Sequence, residues 1–276
     1  MGISESPFLE KEENFPMIKT WLFTLLTPLF FWGCSSSKEG LKIIATPVPH
    51  AEMLEFIKPD LKAQGIDLVI IVTDDYNMPN RALANKEADA NFFQHIPFLD
   101  EQIKQFHYPI ESLAKIEIEP MGIYSKKITS LTELKDRGVV AIPNDPTNEA
   151  RALLFLQTQG VLELDNPNNA QATILNIAKN PKNLKFIEVD AAMLPRSLDD
   201  VEIAVINTNF ALGANLSPLK DALALEKKDS PYANIIAIRI GEENRSDIQA
   251  LKTAMTSEKM KEFILEKYKG AIMPAF

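Results

Sequence analysis

Val139-Val140-Ala141-Ile142-Pro143-Asn144-Asp145-Pro146-Thr147-Asn148-Glu149-Ala150-Arg151 passes from an apolar run, through a turn rich in Pro, Asn and Asp, into a helix-forming stretch. Residues 139–143 read as a strand. Residues 148–159 read as a helix, with Gly160 as its stop. The same strand–turn–helix unit recurs on both sides. Residues 41–45, 67–72, 184–189, 201–206 and 235–240 read as strands, and 112–124 as extended chain. Residues 51–64, 79–86, 96–105 and 170–178 read as helices, and two more close the chain from Ser246 onward. The run Asp67-Leu68-Val69-Ile70-Ile71-Val72 is continuously apolar after its first residue, as in a strand buried on both faces. Alternating strands and helices predict an α/β fold with parallel sheets flanked by helices.

The N-terminal part has a different character. An apolar run, 21–32, follows Lys19 and ends at Gly33-Cys34-Ser35-Ser36-Ser37, which holds the only cysteine among 276 residues. A positive residue, a short apolar segment and small residues form the layout of an export signal, and a cysteine at the processing point predicts a lipid-modified N-terminus. At about 12 residues the run is shorter than the roughly 20 that span a bilayer as a helix. Residues 1–33 are therefore read as a signal peptide, 34–40 as a lipidated linker, and Met17 as the true start, because Glu5, Glu10, Glu12 and Glu13 do not suit a basic leader. The flanking Phe31 and Trp32 depart from the Leu and small residue usual before such a cysteine.

Composition removes several function classes. The chain has 29 Lys and Arg against 38 Asp and Glu, a net charge of −9 at pH 7. With no basic stripe, this argues against nucleic acid as a partner. His50, His95 and His107 show no metal-ligand spacing, and no phosphate-binding glycine loop, nucleophile elbow or H-E-x-x-H is present. A single cysteine allows no disulfide within the chain, so stability must come from a core, for which the length is ample.

Four stretches have the polarity of a ligand cleft. At 144–151, Thr147 or Asn148 can cap the helix and leave N–H groups facing an anion, with Arg151 placed for a bidentate pair with a carboxylate. An ordinary cap followed by a solvated arginine accounts for the same residues equally well. Asn91-Phe92-Phe93-Gln94-His95 and Asp74-Asp75-Tyr76-Asn77 place aromatics near strand ends, where core packing is the simpler account. Ala204-Val205-Ile206-Asn207-Thr208-Asn209-Phe210 runs an apolar strand into two asparagines, as a cleft or as an ordinary strand-end turn.

Taken together these stretches resemble a known family. Phe93-Gln94-His95, Tyr124-Ser125-Lys126-Lys127, the run from Pro143 to Arg151, Asn180-Pro181-Lys182-Asn183-Leu184, Leu194-Pro195-Arg196-Ser197-Leu198-Asp199-Asp200, Ile206-Asn207-Thr208-Asn209-Phe210-Ala211 and Asp229-Ser230-Pro231-Tyr232-Ala233-Asn234 match, in order, the methionine-binding lipoproteins of ABC importers, the NlpA type. The resemblance covers 41–276. It implies a two-lobed periplasmic-binding-protein fold of type 2, each lobe a mostly parallel sheet flanked by helices, with the ligand between them. Lobe 1 would comprise 41–122 and 236–276, and lobe 2 would comprise 123–235. It also implies a binder rather than an enzyme, without cofactor or metal. The protein would be monomeric, anchored through Cys34 to a membrane of the bacterial envelope, and would deliver L- or D-methionine to a permease and its ATPase. By resemblance, Arg151 holds the ligand carboxylate. Asn148 and Asn207 hold its polar end, with Asn207 near the ammonium. Tyr76, Phe93 and His95 wall the thioether.

Three positions depart from the family's usual pattern. Glu119 precedes Pro120 where many relatives carry an aromatic, Ala150 stands in place of Gly, and Phe210 in place of Tyr. Glu119 is the departure expected to affect ligand choice. The competing readings are a binder for another amino acid or a dipeptide, and an envelope enzyme acting on an amino acid. The enzyme would need a poised acid or base, for which only His95 and Glu119 are at hand, neither with an evident partner in the sequence.

Overall fold

Two sheets organise the chain, in a computed structural model that describes residues 40–227 and 231–276. The expected signal segment, the Met17 start, Cys34, the linker up to residue 39, and Asp229 and Ser230 lie outside the described residues. In chain order the strands are β1 (Leu41–Ala45), β2 (Leu68–Val72), β3 (Ala90–His95), β4 (Ile110–Ile118), β5 (Gly122–Tyr124), β6 (Val139–Pro143), β7 (Glu163–Leu164), β8 (Ile177–Lys179), β9 (Lys185–Val189), β10 (Ile203–Ile206), β11 (Ala222–Leu225), β12 (Ala233–Arg239) and β13 (Met273–Pro274). One sheet has the order β13-β4-β12-β3-β1-β2 and the other β11-β5-β10-β6-β9; β7 and β8 form a small separate pair.

Both sheets are mixed, where alternation alone predicted parallel pairing. The parallel pairs are β1 with β2 and β3, and β6 with β9 and β10. β12 runs antiparallel to β3 and β4, and β5 antiparallel to β10 and β11. A parallel neighbour requires a crossover of a dozen or more residues. The chain instead leaves the first sheet after β4 through residues 119–121 and returns to it as β12 after building the second, so these strands escape that demand.

Two sequence expectations are corrected. β2 is not buried on both faces: it is the edge of its sheet, with Val72 54% exposed. Residues 170–178 do not form a helix but a 3-10 turn, Ile174–Asn176, followed by β8. The side chains of Asn166 and Asn169 accept from the backbone N–H of Asn168 and Gln171, and Asn176 accepts from that of Thr173. Such local bonds compete with helix formation.

The first sheet packs on helices Glu52–Ala63, Ser246–Met255 and Glu258–Tyr268, through Ile43, Leu54, Ile57, Ile236, Leu251 and Ile264. The second sheet packs on helix Pro146–Thr158 through Val140, Ile142, Leu153, Leu156 and Val205. Gln159 caps that helix and Gly160 follows with φ +70°, a left-handed value that glycine adopts without strain, as its place after the apolar run predicted. The C-terminal ends of β3, β6 and β10 deliver His95, the turn at 144–145 and Asn207, the place where open α/β sheets bind ligands.

Candidate functional site

The helix after β6 starts at Pro146, and its cap is Asp145 rather than Thr147 or Asn148. The Asp145 carboxylate accepts from the Asn148 N–H at 3.0 Å and from the Thr147 hydroxyl at 3.0 Å. The helix N-terminus therefore carries its own carboxylate, and the expected open anion site there is occupied from within the chain. Asn148, freed from capping, becomes a hub. Its amide nitrogen donates to both Asp145 oxygens at 3.0 Å, and its oxygen receives the Asn207 amide at 2.8 Å and the His95 ring at 3.2 Å.

His95 ends β3 and caps helix Ile96–Phe106, its Nδ1 accepting from the Phe98 N–H. That bond assigns the proton to Nε2, which donates to Asn148. Burial, and then the charge of Arg151, push the imidazole down to about 3, so it is neutral at physiological pH. Beside it lies an aromatic group. Tyr76 has its ring centroid 5.7 Å from Phe93, 5.9 Å from Phe98 and 4.9 Å from Phe210, and its hydroxyl donates to Asn209 at 2.8 Å.

Arg151 is buried rather than solvated, at 3% exposure. Its Nη2 donates to Glu226 at 2.5 Å and to the Glu119 main-chain oxygen at 2.7 Å, and its Nε donates to Glu226 at 3.2 Å. Its Cζ stands 4.2 Å from the centre of the Tyr232 ring. The bidentate edge of the guanidinium thus meets a carboxylate of its own chain. No hydrogen-bond acceptor among the described residues engages Nη1.

Glu119, singled out as a departure, does have partners. It is buried together with Glu117, and the two share Asn234, whose amide donates at 2.7 Å to Glu117 and 3.0 Å to Glu119. His50 Nε2 lies 3.3 Å from an oxygen of each. Burial pushes Glu117 up to about 7; burial and the charge of Glu117 push Glu119 up to about 8. Burial holds His50 down to about 4 despite the nearby carboxyls. The Asn234 N–H group is directed at the oxygens that a metal ion would need, so the cluster as built serves hydrogens rather than a cation.

Tyr76, Phe93, His95, Asn148, Arg151 and Asn207, the six residues named from sequence, all line one narrow cavity of about 20 Å³. Glu119, Asn209 and Asn234 join them there. Glu226 was missed because nothing local marks it; Asn234 closes the motif 229–234 quoted above but was not singled out as a site residue. Asn207 Oδ1 is buried and, among the described residues, has no hydrogen-bond partner, so it can accept a further hydrogen bond.

The sequence model of the NlpA lipoprotein family matches residues 41–276. The methionine-binding lipoprotein MetQ of Bacillus subtilis is 41% identical over 88% of this chain and 90% of its own length. The D-methionine-binding lipoprotein MetQ of Escherichia coli K12 is 41% identical over 83% of this chain and 84% of its own. A nutrient-binding protein of Burkholderia cenocepacia, solved bound to methionine, superposes with a TM-score of 0.82 at 46% identity, covering 86% of this chain and 100% of that one.

Proposed function

The chain belongs to the NlpA lipoprotein family, and we propose that it captures methionine and delivers it to the permease of an ABC importer. The observation that carries this reading is the make-up of one buried cavity. It joins an aromatic wall of Tyr76, Phe93 and Phe98 to a polar end with Arg151, Asn148 and Asn207. An amino acid with an unbranched thioether side chain needs both parts: polar groups matched to its zwitterion, and polarizable rings around sulfur. In this reading Arg151 Nη1 meets the carboxylate and Asn207 Oδ1 accepts from the ammonium. The aromatic wall takes the side chain, with His95 contributing its ring face. The names and the methionine-bound neighbour quoted above support methionine as the ligand.

In this reading the two sheets stand for two lobes, linked through residues 119–121 and through the chain between β11 and β12, with the cavity between them. The protein works without turnover: His95 is neutral and committed to Asn148 and Phe98 on its two nitrogens, which leaves it no role as a base. Anchoring would come from a lipid on Cys34, and among the described residues no helix is long and apolar enough to cross a membrane. The test is to purify the protein, denature it and identify released small molecules by mass spectrometry. Methionine is the expected product; a different amino acid or a dipeptide would reassign the ligand.

A further inference from the structure

Glu117 and Glu119 lie two residues apart on extended chain. They form, with His50, a buried group in which one polar atom from each side chain lies within 4.8 Å of the others. The Thr46 hydroxyl lies 2.5 Å from His50 Nδ1, and His50 Nε2 faces both carboxyls at 3.3 Å and the Asn234 amide at 3.3 Å. The groups around the pair are neutral: the Asn234 amide and the Asn209 main-chain N–H donate to it, and the neutral His50 ring lies beside it. Glu117 Oε2 is buried without a hydrogen-bond partner among the described residues. Two carboxylates so close, in a site closed to water, do not both ionise.

The charges around the pair relieve it only in part, and burial outweighs the charge of Arg151. Arg151 gives Nη2 to the main-chain oxygen of Glu119, not to its carboxyl, and pairs its charge with Glu226. Tyr268, from the last helix, donates to Glu52 at 2.8 Å, and Tyr76 donates to Asn209. Of the two acids only Glu119 lines the cavity, where it is the one carboxyl side chain among the lining residues.

We infer that Glu119 receives the ligand's ammonium, and that the proton it shares with Glu117 in the empty protein leaves to solvent as the ammonium arrives. The ammonium keeps its three hydrogens, Glu119 passes from acid to carboxylate, and the buffer takes the released proton. The raised acidities of both groups agree with a protonated pair near neutrality. Glu119 thereby selects for a free α-amino group, against N-acylated amino acids. This rests on the cavity holding an amino acid.

The test is calorimetric titration of the ligand-free protein with L-methionine at about pH 6.5, in two buffers of different ionisation enthalpy. The inference predicts release approaching one proton per methionine, and affinity rising with pH by up to about tenfold per unit until about pH 8. Glu119→Gln abolishes both effects and binds at least about tenfold more weakly, the loss of one charged partner. Glu117→Gln, which does not line the cavity, retains binding but releases less proton at the same pH, and so controls for misfolding of the cluster. Tight methionine binding with identical heats in both buffers would overturn the inference while leaving methionine capture intact. No methionine binding at all would overturn the function itself, and this inference with it.

Discussion

Glu226 Oε2 lies 2.5 Å from Arg151 Nη2, so the guanidinium of the binding cavity already holds a carboxylate of its own chain. Tyr232 beneath it and the Glu119 carbonyl beside it fix the same group. A buried arginine left alone would be costly. Glu226 removes that cost in the empty protein and leaves Nη1 for a ligand, so a ligand carboxylate would meet one nitrogen of the guanidinium, not the bidentate fork that the 144–151 stretch suggested.

Glu226→Gln tests this arrangement. The amide keeps an acceptor for Arg151 but removes the opposing charge. The ligand-free variant is expected to lose about 1–3 kcal/mol of stability, the range for a charged hydrogen bond weakened in a buried site. Its melting temperature then rises more on adding methionine than that of the parent, because the ligand carboxylate becomes the main counter-charge. Equal ligand-induced shifts in the two proteins, by scanning calorimetry, would show that Glu226 and ligand do not address the same cation.

Asn148 joins Asp145, His95 and Asn207 through its one amide. Asn148→Ala strands polar groups on all three neighbours. The expectation is a stability loss of about 1–3 kcal/mol and at least about tenfold weaker binding, since both the His95 ring and Asn207 lose their orientation. Asn148→Asp should be worse for the ligand-free protein, because it faces the Asp145 carboxylate with a second negative charge. Denaturant melts of the two variants would rank them, and the reverse order contradicts the hydrogen-bond assignment.

The aromatic wall makes a prediction about sulfur. Norleucine matches methionine in shape with a methylene in place of sulfur. Contacts between sulfur and Tyr76, Phe93 and Phe98 should favour methionine by about 0.3–1.5 kcal/mol, or about two- to tenfold in affinity. Phe93→Leu should reduce that ratio toward unity while both ligands bind more weakly. An unchanged ratio in competition titrations would remove Phe93 from contact with the thioether.

Stability should also depend on pH with a fixed sign. Glu117 and Glu119 are raised to about 7 and about 8, so the ligand-free folded state binds protons that the unfolded state has released. Their contribution is fully present below about 4.5, the unfolded value, and is lost as pH rises through about 7 and 8. Glu149, raised to about 7 by burial, acts in the same direction. The melting temperature of the empty protein should therefore fall from about pH 4.5 to about pH 8 and level off above, and Glu119→Gln should flatten part of that fall. A level profile in the parent protein would contradict protonation of the cluster.

What the sequence revealed follows from which interactions are local. The strand at 139–143, the helix that follows and its stop at Gly160 were legible because periodicity and glycine act over a few residues. Asp145 was overlooked as the cap because Thr147 and Asn148 offered equally good chemistry, and only Pro146 at the first helical position argued for the earlier start. β2 reads as a central strand because its apolar side chains do not reveal that, among the described residues, no strand pairs with its outer edge. Arg151 was visible as a candidate, but its partner Glu226 stands 75 positions away, and no local pattern links them. Glu119 stood out only against a family pattern. Its chemistry depends on His50 and Asn234, which the fold brings from opposite ends of the described chain.

The most direct measurement is calorimetric titration of protein emptied by unfolding and refolding with L-methionine, beside Arg151→Ala. The expected result is saturable binding at one site per chain in the parent. Affinity in the variant should be lower by about 10–100-fold, the loss of a charge-assisted hydrogen bond in a buried cavity. A folded parent protein that takes up no methionine, or a variant that binds it as tightly as the parent, would contradict the assignment of this cavity.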